Sequence, residues 1–225
     1  MSETDKIKAR YEKRKEPGHI QAGGAYAGRF SKEITLEREA VYERIIRNRF
    51  ADISGIRVLE IGAGTGSNLS FFKRLGIKPG NITANELLED RFDVLKTNHP
   101  DVENIPGDAL QLPFSEKFDI VFQSTVFTSI LDDDFRRKLA GKMFSMVRPG
   151  GIVLWYDFRF DNPKNPDVKK VTREEVKTLF PESPGIRFFN VTLAPPIGRR
   201  IGGLYKAVNT LFPFLRTHLV AEISR

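Results

Sequence analysis

VLEIGAGTGSNL, Val58 to Leu69, decides the reading of this chain. An apolar run from Ile56 to Ile61 passes directly into three glycines at alternate positions, Gly62, Gly64 and Gly66. A segment of helical pattern follows, and Gly76 stops it. Glycine lets a backbone turn tightly and approach a ligand closely. The helix start beyond it offers N–H groups that have no intrahelical partner. Taken alone, the same turn also serves any tight strand-to-helix connection.

Outward from this loop the unit repeats. Asn81 to Glu86 reads as a second strand, and Leu88 to Asn98 as a helix ending before Pro100. Val102 to Ile105 and Phe118 to Gln123 are the third and fourth strands. Asp133 to Val147 reads as a helix stopped by Pro149 and Gly150, and Gly151 to Asp157 as the fifth strand. Strands alternating with helices predict βαβ units, a parallel sheet and helices on both faces, a doubly wound α/β fold. The tail differs: a short helix over Thr172–Phe180, then strands over Ile186–Leu193 and Thr217–Ser224. A Pro- and Gly-punctuated, partly helical insert at about 194–216 separates them. Upstream, Ser2 to Glu16 reads as a helix or mobile arm and Pro17 to Gly28 as a loop. A helix is expected from about Lys32 to Arg49, with Ser31 as its N-cap.

The 225 residues suit one domain with an N-terminal extension, and the core can fold without staples. The chain has no cysteine, which removes disulfides, thiolate nucleophiles and cysteine metal sites. His19, His99 and His218 lie far apart in sequence, so no metal is expected. No apolar run reaches the roughly 18 residues of a membrane span, and no secretory signal is visible. A cytoplasmic location is expected. The net charge of +7 is uneven: from Gly185 onward six cations stand against Glu222 alone. A basic surface favours anionic partners, among them lipid headgroups at a membrane periphery, but it equally describes a solvated face.

Two acids sharpen the glycine loop. Glu60 sits two residues before Gly62, where a carboxylate suits a cationic ammonium group and repels a pyrophosphate. The spacing is Gly-x-Gly-x-Gly, not the Gly-x-Gly-x-x-Gly of dinucleotide enzymes. By charge, S-adenosylmethionine (SAM), with its α-amino group and sulfonium, fits better than NAD. Glu86 ends the second strand, where a carboxylate can accept hydrogen bonds from both ribose hydroxyls. Asp108 follows the third strand; it can accept from an adenine amino group or close an Asx turn before Leu110.

At this point the sequence resembles the class I SAM-dependent methyltransferases. Glu60 to Gly66 is similar to their first motif, and Glu86 falls where they hold the ribose. Gly107-Asp108-Ala109 with Leu112-Pro113-Phe114 resembles their adenine-side segment. Phe118 to Phe122 resembles their fourth strand, and Val147 to Gly151 the turn that opens their fifth. The resemblance covers about 57–157. It implies a seven-stranded, mostly parallel sheet ordered 3-2-1-4-5-7-6, with SAM as cofactor and S-adenosylhomocysteine as product. The cofactor set it implies is Glu60, Gly62, Ala63, Gly64, Gly66, Glu86, Leu87, Asp108, Ala109 and Gln123. Residues 1–50 would form an extension or lid, and 51–225 the SAM-binding domain.

The acceptor half is less explicit. Gln123 to Ser129 contains no histidine, and no Asn-Pro-Pro-Tyr run marks base or glutamine amino methylation. O-methylation of a small-molecule or sugar hydroxyl, or N-methylation of a reactive amine, remains. Asp157, at the carboxyl end of the fifth strand, and His218 are the candidate bases. Arg159, Arg199 and Arg200 would hold an anionic acceptor, and Tyr26 would touch it from the lid. The tail loosely resembles methyltransferases of bacterial surface-polysaccharide pathways, which implies a glycan acceptor. A nucleic-acid methyltransferase, a non-catalytic SAM-binding subunit and a dinucleotide oxidoreductase are the alternatives. Nucleic acid is not expected as a partner, and the oligomeric state stays open.

Overall fold

The computed structural model describes residues 2–15, 27–162 and 165–225. Seven strands form one sheet in the order 3-2-1-4-5-7-6. They are β1 (Val58–Ile61), β2 (Ile82–Glu86), β3 (Glu103–Pro106), β4 (Phe118–Ser124), β5 (Val147–Phe158), β6 (Ile186–Leu193) and β7 (Arg216–Ser224). β1 is flanked in parallel by β2 and β4, with Val58 beside both Ile82 and Ile120. β7 runs antiparallel between β5 and β6, with Ala221 opposite Trp155 and Phe188. The doubly wound reading and its strand order hold.

The period-two alternation of a strand sends successive side chains to opposite faces. Leu59 and Ile61 therefore enter one core, with Trp155, Met143 of α5 (Asp133–Met146) and Val176 of α6 (Arg173–Leu179). Val58 enters the other, with Tyr42, Ile45 and Ile46 of α2 (Ala27–Arg49) and Phe72 of α3 (Leu69–Leu75). β1 and β2 are buried throughout because both faces are covered. The N-terminal helices join these same cores, since Ile7 of α1 (Glu3–Lys13) packs into the first. α4 (Glu89–Asn98) connects β2 to the edge strand β3.

Two local expectations are corrected. α2 begins at Ala27, so Ser31 lies inside the helix rather than capping it. The first turn is held by tertiary packing: Phe30 is buried edge-on against Tyr205 and touches Gly198. β5 begins at Val147, not Gly151, because the Pro149–Gly151 turn is carried as an irregularity beside Phe118 and Ile120. A Cβ on Gly151 would stand 2.6 Å from the Asp119 carbonyl, so only glycine permits that approach. The insert folds as α7 (Pro195–Gly198) and α8 (Tyr205–Leu211).

Candidate active site

The loop after β1 takes its shape from backbone conformations that side chains disfavour. Gly64 has φ +60° and an added Cβ would meet nothing within 4 Å; Gly64 lines an open cavity. Gly66 has φ +88° and an added Cβ would strike His99 at 2.3 Å and Leu95 at 2.9 Å. The first glycine thus keeps the cavity wall bare, and the second lets α4 close on the loop. The Ala63 N–H donates to the Asn85 carbonyl at 2.9 Å, tying the loop to β2.

Glu86 ends β2 and faces the same cavity. Its Oε2 accepts from the Gly64 N–H at 2.7 Å and its Oε1 from the Leu88 N–H at 2.9 Å. Each carboxylate oxygen keeps a further lone pair for a ligand. Asp108 accepts from the Leu110 N–H through Oδ1 at 2.9 Å, the Asx turn, and still lines the cavity. Leu87 and Ala109 line it as well.

Glu60 is wholly buried. Its Oε1 accepts from Asn68 Nδ2 at 2.7 Å, while Oε2 has no hydrogen-bond partner. Burial pushes its carboxyl up to about 8, against the pull of Asn68 and of Arg38. Arg38 of α2 donates to Asn68 Oδ1 at 3.3 Å and, with Asn68, lines the cavity. A buried acid with one unsatisfied oxygen thus sits behind a polar relay that reaches the cavity.

The cavity encloses about 440 Å³. Its polar wall is the glycine loop with Asn68, Asn85, Glu86 and Asp108. Its opposite wall is largely apolar: Ile7, Tyr11, Val126, Ile130, Phe135 and Leu139. α1 supplies two of these and is anchored across the opening. The Tyr11 hydroxyl and Ser129 Oγ are 3.1 Å apart, Arg10 donates to the Ser129 carbonyl, and Glu3 accepts from the Leu131 N–H. The Tyr11 ring lies between the guanidiniums of Arg14 and Arg91, each 4.4 Å from its centroid. Thr125, at the end of β4, holds φ +60° beside the cavity, a conformation uncommon for a non-glycine residue.

The residues expected for the acceptor stand elsewhere. Gln123 and Asp157 do not line the cavity; both are buried and bonded to each other and to the loop that does. Gln123 donates to Asp157 Oδ2 at 3.1 Å and accepts from the Val126 N–H at 3.0 Å. Asp157 Oδ1 accepts from the Thr128 N–H at 3.3 Å. Burial raises the Asp157 carboxyl to about 7, offset in part by these bonds. His218 is stacked on Tyr156 and pushed down to about 3 by burial. Arg159 donates to the Arg216 carbonyl and covers the Phe160 ring. Arg199 lies over Phe30, and Arg200 is exposed. None of the three arginines lines the cavity, whose own cations are Arg38 and Arg91. Tyr26 lies outside the described residues.

Sequence reasoning passed over Arg38, Asn68 and Arg91, whereas α1 and Tyr11 fall within the N-terminal segment it expected as a lid. Asn68 stood in the quoted stretch, two residues after the last glycine, and its proximity to the loop was the available signal. Arg38 and Arg91 carried none, since each is one of many helix-surface cations until the helices dock. Among the described residues, no cluster of three or more His, Asp or Glu is placed to hold a metal.

Residues 58–151 match the family model described as a methyltransferase domain. The chain is 34% identical to a phthiotriol/phenolphthiotriol dimycocerosates methyltransferase of Mycobacterium ulcerans, over 49% of this chain and 41% of that protein. It is 35% identical to a fatty-acid O-methyltransferase of Mycolicibacterium smegmatis, over 51% of this chain and 42% of that protein. The chain thus spans less than half the length of these two relatives. The magnesium protoporphyrin IX methyltransferase of Synechocystis, solved with bound SAM, superposes with a TM-score of 0.63 at 11% identity, over 100% of this chain and 98% of that one. The sheet order and these neighbours show the Rossmann-like fold of class I methyltransferases, and residues 58–151 carry the methyltransferase-domain sequence.

Proposed function

We propose that the protein transfers the methyl group of SAM to an oxygen of a small, largely apolar acceptor. The observation that carries this reading is the two-sided cavity: a glycine loop with Glu86 and Asp108 on one wall, apolar side chains of α1, α5 and the loop after β4 on the other. The residues present fit the cofactor. Glu60 does not itself line the cavity; its unpartnered Oε2 suits the α-amino group through water or through Asn68, with Arg38 and Asn68 beside the ligand's carboxylate. The free lone pairs of Glu86 suit the ribose hydroxyls, and Asp108 with Ala109 the adenine edge. Bare backbone at Gly64 leaves room for the ligand against the loop. When bound, SAM supplies an electrophilic methyl group on its sulfonium.

The acceptor wall argues for positioning rather than strong base catalysis. Its described lining offers Tyr11, Thr4, Thr125 and Ser129 but no histidine, and the buried Asp157 and His218 do not reach it. Holding the acceptor in a near-attack geometry supplies much of the rate in such a transfer. An acidic oxygen, a carboxylate or a phenol-like hydroxyl, needs little further help. Arg91 at the rim favours its anionic form. The names of the two mycobacterial relatives, which act on a fatty acid or a lipid, support an apolar acceptor. α1 acts as a lid that excludes water. Its amides should exchange more slowly with S-adenosylhomocysteine bound.

The test is methyl transfer from labelled SAM to a panel of fatty acids, phenolic lipids, quinols, nucleotide sugars and lipid-linked glycans, beside calorimetry with SAM and NAD. Turnover of an apolar acid or phenol is the expected result. Exclusive turnover of a sugar would replace the acceptor reading. SAM binding without turnover of any member would support a non-catalytic subunit, and NAD binding without SAM binding would overturn the whole reading.

A further inference from the structure

We propose that the insert between β6 and β7 docks on an anionic lipid surface and presents the cavity to it. The proposal deepens the reading above, because it rests on an apolar acceptor. β6 is antiparallel to β7, which is antiparallel to β5, so β6 runs parallel to β1 through β5. The insert therefore leaves the sheet at the same edge as the glycine loop, the carboxyl edge where the cavity lies.

Two observations on the insert coincide. The first is an apolar stripe turned to water. Leu204, Ala207 and Leu211 fall at i, i+3 and i+7, one exposed face of α8 and the residue before it, while Val208 beside them is half-buried against Phe30, Leu193 and Tyr205. The buried side of α8 is instead formed by Tyr205 and Asn209, whose side chains bond to Glu37 of α2. Leu204 is 64% exposed and Leu211 71%. The chain then turns through Phe212, Pro213 and Phe214, with Phe214 71% exposed and its ring edge-on to Phe212. Large apolar side chains grouped on a surface mark an interaction site.

The second observation is the charge around the stripe. No Asp or Glu stands between Glu182 and Glu222. Arg200 and Lys206 are exposed, Arg199 lies over Phe30, and the Arg29 guanidinium reaches Gly203. Of the acids that α2 carries on this face, Glu37 is turned inward onto Tyr205 and Asn209, and Glu33 stands half-buried one turn from Arg29. A short apolar face flanked by cations, on an insert that carries no acid of its own, matches the interface of an anionic bilayer, where side chains such as Leu and Phe enter the acyl boundary and Arg and Lys stay at the headgroups. A second copy of the chain would bring the same cations against themselves, which charge disfavours.

Sedimentation of the full chain with phosphatidylcholine vesicles, with and without phosphatidylglycerol, tests this. Binding should require phosphatidylglycerol and weaken as salt is raised. Leu211→Ser with Phe214→Ser should lower partitioning by about ten-fold or more, from the apolar area no longer inserted. Arg200→Glu with Lys206→Glu should lower it by a similar factor, about five-fold per cation removed, and remove the preference for phosphatidylglycerol. Equal partitioning of wild type and the Leu211→Ser, Phe214→Ser variant overturns the proposal. So does a dimer in analytical ultracentrifugation that this same variant dissociates. Calorimetry with S-adenosylhomocysteine on that variant, expected unchanged, keeps the two readings apart: vesicle binding without SAM binding sinks the methyl-transfer reading and leaves the docking surface standing.

Discussion

The two halves of the sheet edge solve different problems. On the β1–β2 side, three groups that meet the cavity are fixed by nearby backbone: Gly64 by its conformation, Glu86 by two backbone N–H groups, Asp108 by its own Asx turn. On the β4–β5–β7 side, the polar groups serve the protein. Gln123 and Asp157 brace the loop from Thr125 to Ser129, and His218 is packed against Tyr156. A strand-end acid is thus available to a ligand on one side and already used on the other, although both look alike in sequence. The cavity's apolar wall is supplied by α1, by α5 and by Val126 and Ile130 of the loop after β4.

The strongest way to break the comparison is at the glycines. Gly66→Val should cost roughly 2–5 kcal/mol of stability, combining an overpacked contact with His99 and Leu95 and a left-handed backbone. Gly64→Ala should cost only about 1–2 kcal/mol, the backbone term alone, yet lower SAM affinity by at least about ten-fold because its methyl enters the cavity. Urea melts and calorimetry on both variants separate the two effects. Equal loss of stability at the two positions would mean the cavity wall is misplaced.

Glu86→Ala should weaken SAM binding by roughly 1–3 kcal/mol, the cost of losing a charged acceptor and freeing the Gly64 and Leu88 N–H groups. Unchanged affinity in calorimetry would remove the ribose role.

Glu60 should make binding depend on pH. Its carboxyl titrates near 8, so at neutral pH it is mostly protonated and must lose its proton to pair with an ammonium. SAM affinity should therefore rise from about pH 6 toward 8, by up to roughly ten-fold per unit, and fall again above as the ligand's α-amino group, ordinarily at about 7.7–8.0, loses its own proton. Arg38 favours the charged form and Glu86 opposes it. Stability runs the other way. An acid whose folded value is raised is most favourable below its unfolded value, and stability falls as pH climbs from about 4 to 8. Glu60→Gln should flatten the rise in affinity and the stability profile, and a rise in affinity that survives this change would assign the titration to another group.

The smallest effect is expected at Asp157. If it only braces the Thr128 loop, Asp157→Asn should change stability by about 1 kcal/mol and leave the pH profile of turnover in place. A fall in turnover of about a hundred-fold or more, with the alkaline or acidic limb lost, would restore it as a general base.

The fold was legible in one sequence because its signals are local: short β-branched runs, glycine or proline stops, and the alternation of strand and helix. The polar wall of the cavity was legible for the same reason, since Gly64 and Glu86 lie at fixed offsets from strand ends. Asp157 was misjudged because a strand end says where a side chain begins, not which neighbours claim it. Arg199 and Arg200 were read as a ligand clamp from their charge and their place in the insert before the last strand, yet their surroundings are α2 and solvent. What the sequence by itself determined is the strands, their parallel βαβ pairing and the bare glycine wall, because backbone conformation and hydrophobic alternation act over a few residues; the strand order was implied by the family resemblance. What the tertiary structure alone decided is the rest of the cavity. Arg38 and Asn68 beside Glu60, Tyr11 between Arg14 and Arg91, and an α8 stripe facing water depend on how helices distant in sequence dock, and packing over such separations leaves no mark in local spacing.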